Sequence, residues 1–185
     1  ELPIEKVMFS KGLNDLRVNF DSALTEDTKK LDLNEIIETI RNSNSYIAAR
    51  NLELHPSFKG LYDDIMNDVE VFMKANKTGT KAHEPMLWLF IASPGAVTPF
   101  HFDRFTNFIM QIRGSKELAV FPPGKEEVVK ACDVEAYLDW RGQTPEWKDE
   151  MDVYANKFNF KKGEAVHIPY TSGHYVKNGM DDISI

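Results

Sequence analysis

The grouping most able to do chemistry is Thr98-Pro99-Phe100-His101-Phe102-Asp103, followed by Asn107, Lys116 and, further on, His167 and His174. His101 and Asp103 stand two apart in an extended, aromatic-rich run, so on a strand both side chains leave the same face. Together they offer a neutral nitrogen and an anionic oxygen. One more imidazole completes a facial two-His-one-carboxylate set, which suits Fe(II) and leaves coordination positions open. His174 and His167 are both placed to supply it. Val166 and Ile168 flank His167, and spacing alone does not separate the two. His55 precedes Pro56 and His83 sits in a polar stretch, so surface or capping roles are expected for both.

Elements that position such a site must fit within 185 residues, the size of one ordinary domain with a real core. Hydrophobic content of 42% and charged content of 28% are globular values. A net charge of -7 speaks against a general nucleic-acid binder, which needs a basic face. With Cys132 as the sole cysteine there is no internal disulfide and no thiolate zinc cluster, and an intracellular, cytoplasmic setting is expected. No run approaches the roughly 20 apolar residues of a membrane span. The first residues do not resemble a signal peptide, although the chain lacks an initiator Met. Asp182-Ile183-Ser184-Ile185 reads as a strand stopped midway, so the domain is expected to continue beyond Ile185.

Helical signals dominate residues 1–45: Leu33, Ile36, Ile37 and Ile40 recur at helical spacing behind Asp32, and Arg41 to Ser45 is turn-rich. Tyr46 to Leu52 predicts a short strand, and Leu61 to Lys74 an amphipathic helix with Leu61, Ile65, Val69 and Phe72 on one side. From Met86 the pattern turns to strands. Met86 to Ala92 predicts one buried on both faces, and Val97 to Asp103 predicts the next. Asn107 to Ile112 and Lys116 to Phe121 predict a hairpin about Arg113-Gly114-Ser115. Residues 124–157 are mixed and charged, and predict short helices and loops forming a cover or a partner surface. Phe158 to Phe160, Ala165 to Ile168 and the segment from His174 resume the strands. Helices first and closely spaced strands after predict a mainly β domain with flanking helices, a sandwich or jelly roll. One domain over 1–185 is expected: a helical flank with a short strand over 1–85, then a jelly-roll core over 86–185 carrying the 124–157 insert.

The block from Thr98 to Asp103, then Asn107-Phe108, Gln111-Ile112-Arg113-Gly114-Ser115-Lys116 and Phe121-Pro122-Pro123, resembles the JmjC and cupin-like Fe(II)/2-oxoglutarate oxygenases. Within them it is most similar to the branch of the asparaginyl hydroxylase that acts on hypoxia-inducible factor. A second family signature, Gly-Asp-x-[Leu/Val]-aromatic-Ile-Pro followed by a short turn and His, is matched by Gly163 to Pro169 and then His174. In that register His167 occupies the aromatic position and His174 the ligand position. The similarity covers 86–123 and 158–185 well and 30–75 loosely.

What the resemblance implies is a double-stranded β-helix in which His101, Asp103 and His174 hold Fe(II), with 2-oxoglutarate and dioxygen as co-substrates. Lys116 matches the lysine that pairs with the distal carboxylate, and Thr98 a hydroxyl donor to it. Asn107 matches an amide near the iron-bound end, and Tyr46 a phenol donor from the strand before the barrel. The implied reaction hydroxylates a C–H bond on a protein side chain or a small molecule, with no nucleic acid and no membrane involved; some branches form homodimers. Two departures stand out: Ser172-Gly173 replaces the aromatic often found before the distal His, and the family's further strand lies past Ile185. Arg104 is placed to orient a neighbouring group, meet substrate or face solvent. The rival readings are a cupin-type metal protein that does no oxygenation, such as an isomerase or small-ligand binder, and an interaction domain using the 124–157 insert. The first has no use for Lys116, Thr98 and Asn107 together, and the intact His101, Asp103 and His174 set counts against the second.

Overall fold

Nine strands and two α-helices are found among the residues that the computed structural model describes, 7–11, 15–16, 39–142 and 145–185. In chain order they are β1 (Val7–Lys11), β2 (Ser45–Ala49), α1 (Lys59–Ala75), β3 (Leu89–Ala92), β4 (Val97–His101), β5 (Asn107–Met110), β6 (Ser115–Val120), α2 (Ala131–Leu138), β7 (Asn156–Lys161), β8 (Ala165–Ile168) and β9 (His174–Asn178). Three sheets result: β1-β2-β3, β4-β9-β6-β7 and the pair β5-β8. The architecture is the expected one, mainly antiparallel β of the jelly-roll, cupin type with a few helices. No helix among the described residues is long and apolar enough to cross a membrane.

The chain divides into two compact units, Glu1–Met8 with Ala48–Phe90, and Phe9–Ile47 with Ile91–Ile185. In the first, α1 covers the predicted helix. Its end is set by Asn76 and by Lys77 in a left-handed conformation, a backbone state that stops helical hydrogen bonding. Leu61 and Phe72 of its apolar stripe stay exposed. Within the same unit Glu53 accepts a hydrogen bond from the Leu87 amide, and Arg50 lies over the Trp88 ring.

The second unit is organised by alternation in the four-stranded sheet. Register sets Lys116 beside Asn178 and Phe160, Leu118 beside Val176 and Phe158, and Val120 beside His174. These side chains share one face, which we call inner. Leu118, Val120, Phe160 and Val176 form its apolar lining with Ile168 of β8. The residues between them point to the outer face, where Ala119, Phe121 and Tyr175 pack with Phe100, Phe102, Val128, Val129, Tyr137, Trp147 and Met151. The 124–157 insert is therefore a cover: α2 and the 3-10 turn Asp149–Tyr154 close the outer face. The Tyr175 hydroxyl donates to Asp152 of that turn at 2.8 Å; burial first, and then the carboxylate, push the phenol up to about 12.

Several expectations are corrected. Val7–Lys11, within the region of helical signals, is a strand; its sequence Val-Met-Phe-Ser is rich in strand formers. Asp32, Leu33, Ile36 and Ile37 lie outside the described residues, while Ile40 is buried ahead of the expected turn. β3 is shorter than the Met86–Ala92 run and mostly half-buried. β5 and β6 do not form a hairpin. β5 pairs with β8 and β6 with β7 and β9, because Ile185 exchanges backbone hydrogen bonds with Ile112 and Arg113 in the connection. Gly114 sits there at φ 77, and a Cβ would run into the Ile183 carbonyl oxygen. Beside these Ile185 bonds, Ser184 forms a bridge with Ala92.

Candidate metal centre

His101 ends β4 and His174 begins β9, and the two face each other across the ladder. An irregularity makes this possible. Thr98 pairs with Val176 and His101 with His174, so β4 uses three steps where β9 uses two. The extra residue turns His101 to the same inner face as Thr98. Phe100 and Phe102 consequently enter the outer aromatic cluster, and Asp103 follows His101 inward even though the strand has ended.

Each imidazole is oriented by the carbonyl two residues before it. His101 Nδ1 lies 2.8 Å from Pro99 O, and His174 Nδ1 lies 3.0 Å from Ser172 O. A carbonyl only accepts, so both Nδ1 atoms carry the hydrogen, which makes each Nε2 the ring nitrogen with a lone pair to offer a metal. The two rings stand 4.1 Å apart, and His174 Nε2 lies 3.5 Å from Asp103 Oδ2. One ligand atom from each residue falls within 4.8 Å of the others, a spacing that one cation roughly 2 Å from each can bridge with small side-chain adjustments. Burial, and then the neighbouring His101, hold His174 well below the usual histidine range, which keeps it neutral and ligand-ready at pH 7. The Asp103 side chain is 33% exposed against 3% for His174, so the cluster opens on the carboxylate side.

Surrounding residues hold that carboxylate in place. Asn107 Nδ2 donates to Asp103 Oδ2 at 2.6 Å. Arg104 donates from Nε and Nη2 to the Tyr137 carbonyl at 3.1 and 2.5 Å, capping the end of α2, and stacks between the Tyr137 and Trp140 rings. The insert thus braces the residue next to Asp103. His167 is not part of the cluster. Val166 and Ile168 pack inward, so His167 turns out to meet Thr106 Oγ1 at 2.8 Å and the Phe108 ring.

Lys116 lies on the inner face of β6, four residues along from Val120, the partner of His174. At backbone level this puts about 13 Å between the two ends, a gap shortened from both sides by the side chains. Its ammonium has no hydrogen-bond or ion-pair partner among the described residues, and burial lowers its pKa to about 8. Thr98 shares this face through its pairing with Val176. Tyr46 sits half-buried on β2, and its assignment to the site rests on the resemblance alone.

A sequence model of a cupin-like domain matches residues 11–185. The chain belongs to the cupin-like domain family. Among solved structures, the cupin-like domain is similar to the oxalate decarboxylase of Bacillus subtilis at pH 4.6, with 21% identity and a TM-score of 0.35 over 54% of this chain and 19% of that one. It is likewise similar to the formate complex of the Lactobacillus farciminis oxalate decarboxylase, with 18% identity and a TM-score of 0.35 over 52% and 21% of the two chains. The chain thus spans about a fifth of the length of these decarboxylases.

Sequence reading of this cupin-like domain missed the groups that orient the two imidazoles. The Pro99 and Ser172 carbonyls are invisible to motif spacing because any residue supplies a carbonyl. Asn178 was missed as well. It lies four after His174, an even step on a strand, which was signal enough to place it on the inner face.

Proposed function

We propose that this domain is an Fe(II)- and 2-oxoglutarate-dependent oxygenase that hydroxylates a C–H bond, on a protein side chain in preference to a small molecule. The observation that carries this reading is Lys116: a half-buried ammonium without a partner among the described residues, on the same face as a His-Asp-His cluster, is stabilised by an anion arriving between them. A dicarboxylate with a 2-oxo acid at one end fits both requirements. Fe(II), when bound, would supply the oxidising chemistry with dioxygen as the oxidant: one oxygen atom would go into succinate as 2-oxoglutarate loses carbon dioxide, and the other into the hydroxylated C–H bond.

The chain's own contribution is placement and exclusion of water. His101, Asp103 and His174 would hold the ion by three adjacent donors, leaving its remaining positions open to ligands. Asn107 restrains the carboxylate, and Lys116 with Thr98 receives the distal carboxylate. Leu118, Val120, Phe160 and Val176 keep the space between dry. The exposed Phe105, Trp140 and Tyr170 flank the Asp103 and His174 segments and offer apolar contact to a polypeptide.

Anaerobic addition of Fe(II) and then 2-oxoglutarate tests the reading. A saturable visible charge-transfer band, abolished in His174→Ala, is the expected result. Iron binding without a band would move a non-oxygenase cupin ahead, and absence of metal binding would sink the assignment.

A further inference from the structure

Two polar groups on the inner face have no partner among the described residues, and they are cross-strand neighbours: the Lys116 ammonium and Asn178 Oδ1. The Asn178 amide has its orientation fixed. Nδ2 donates to the Ala96 carbonyl at 2.7 Å, and reversing the amide would bring two oxygens together. Oδ1 is therefore held away from Ala96 on a residue only 7% exposed. A buried amide oxygen without a donor costs about 1–3 kcal/mol. Around it on this face Leu118, Phe160 and Val176 are apolar and cannot donate. Among the described residues, register brings two side-chain donors to its neighbourhood: Lys116, directly opposite on β6, and the Thr98 hydroxyl, opposite Val176 on β4.

We propose that Asn178 is a positioning residue for Lys116: its Oδ1 accepts one hydrogen of the ammonium and leaves the other two for the carboxylate of a bound dicarboxylate. Rotation about the outer torsions of the lysine stem closes this bond. The chain Ala96 carbonyl, Asn178 amide, Lys116 ammonium then runs across three neighbouring segments and fixes where a negative charge settles. A carboxylate cannot approach Oδ1 itself, so it is directed to the far side of the ammonium, toward the histidines. The role in ligand binding rests on Lys116 being the carboxylate anchor; the Lys116–Asn178 bond does not.

Heteronuclear NMR of the lysine ammonium groups in the ligand-free protein tests the bond. A Lys116 Nζ signal with slowly exchanging hydrogens is expected, and it should be lost in Asn178→Leu while the amide fingerprint persists. A wild-type protein without that signal, or a signal unmoved by the substitution, overturns the proposal. The second arm is 2-oxoglutarate titration with Mn(II) under argon. Asn178→Leu should raise Kd about ten-fold, with Mn(II) affinity unchanged. The Lys116→Ala/Asn178→Leu double variant should bind no worse than Lys116→Ala. Additive losses, or coupling to Thr98→Val instead, would reassign Oδ1 and refute the pairing. Should Asn178→Leu melt early, Asn178→Ser is read the same way. If wild-type protein takes up no 2-oxoglutarate, the oxygenase reading falls while the ammonium signal still decides the Asn178 bond.

Discussion

The two faces of the β4-β9-β6-β7 sheet are built from alternate residues of the same strands, yet they obey different rules. Outward, Ala119, Phe121 and Tyr175 meet the insert in a closed aromatic cluster; the Phe121 ring lies within 5.4 to 6.3 Å of Phe100, Trp147 and Tyr175. Inward, Lys116, Asn178 and the two histidines interrupt an apolar lining with groups that are costly to bury. One face maximises packing, and the other carries polar groups placed to meet a ligand or a metal. Stability and binding should therefore separate by residue parity along each strand.

The sharpest test pairs one residue from each side. Phe121→Ala should cost about 3–5 kcal/mol of folding free energy by opening a cavity in the outer cluster, read as the shift in urea midpoint. Metal binding by the fraction that stays folded should be unchanged. Asp103→Ala should do the reverse. Mn(II) or Fe(II) affinity should fall at least about 100-fold, because the single anionic donor is gone, while the urea midpoint moves little. A metal-binding loss in Phe121→Ala as large as in Asp103→Ala would erase the distinction between the faces.

Lys116 allows a finer test, because its burial opposes folding. The folded pKa of about 8 lies below the roughly 10.4 of an unfolded lysine. Between those values the unfolded chain holds more protons, so the lysine's contribution to stability rises with pH across that window. Below pH 8 its full penalty is present. Lys116→Met should accordingly stabilise the ligand-free protein at pH 7 by about 1–3 kcal/mol, and the difference should shrink as pH climbs from 8 toward 10.4. Denaturant melts of both proteins at intervals over that range check the sign. A gap that widens with pH would mean the ammonium is stabilised in the fold, and the argument for an anionic ligand would lose its basis.

These tests also mark what sequence could and could not reveal. Alternation made His101 and Asp103 legible as a pair, and turn residues placed most strand limits within a few positions. Pairing was less legible. Arg113-Gly114-Ser115 has hairpin chemistry, but the C-terminal Ile183–Ile185 segment occupies the edge a hairpin would need. That competition is non-local, and no window around Gly114 contains it. The bulge in β4 was equally hidden, because its cause is the partner strand's shorter count between Val176 and His174. Asn107 was read through the resemblance as a co-substrate contact; the structure shows its amide on Asp103, a bond that spacing of four residues permits without requiring.

His167 bears on the rivalry that residue types alone left open, and its removal should have the smallest effect. It lies on β8 with its ring turned outward, bonded to Thr106 Oγ1, and burial lowers its pKa from the ordinary histidine value. The side chain-to-hydroxyl bond sits on exposed residues, so losing it should cost no more than about 0.5–1.5 kcal/mol. His167→Ala should leave metal affinity within about two-fold of wild type, since it is Nε2 of His174 that lies beside Asp103. Isothermal titration with Mn(II), run beside His174→Ala, measures both. A large loss in His167→Ala with His174→Ala still binding would exchange the two histidines. The inner face of β9 would then be an apolar wall with a buried imidazole, and the site would have to be rebuilt around β8. The inward packing of Val166 and Ile168 stands against that arrangement, because a strand cannot present His167 inward without turning both of them to water.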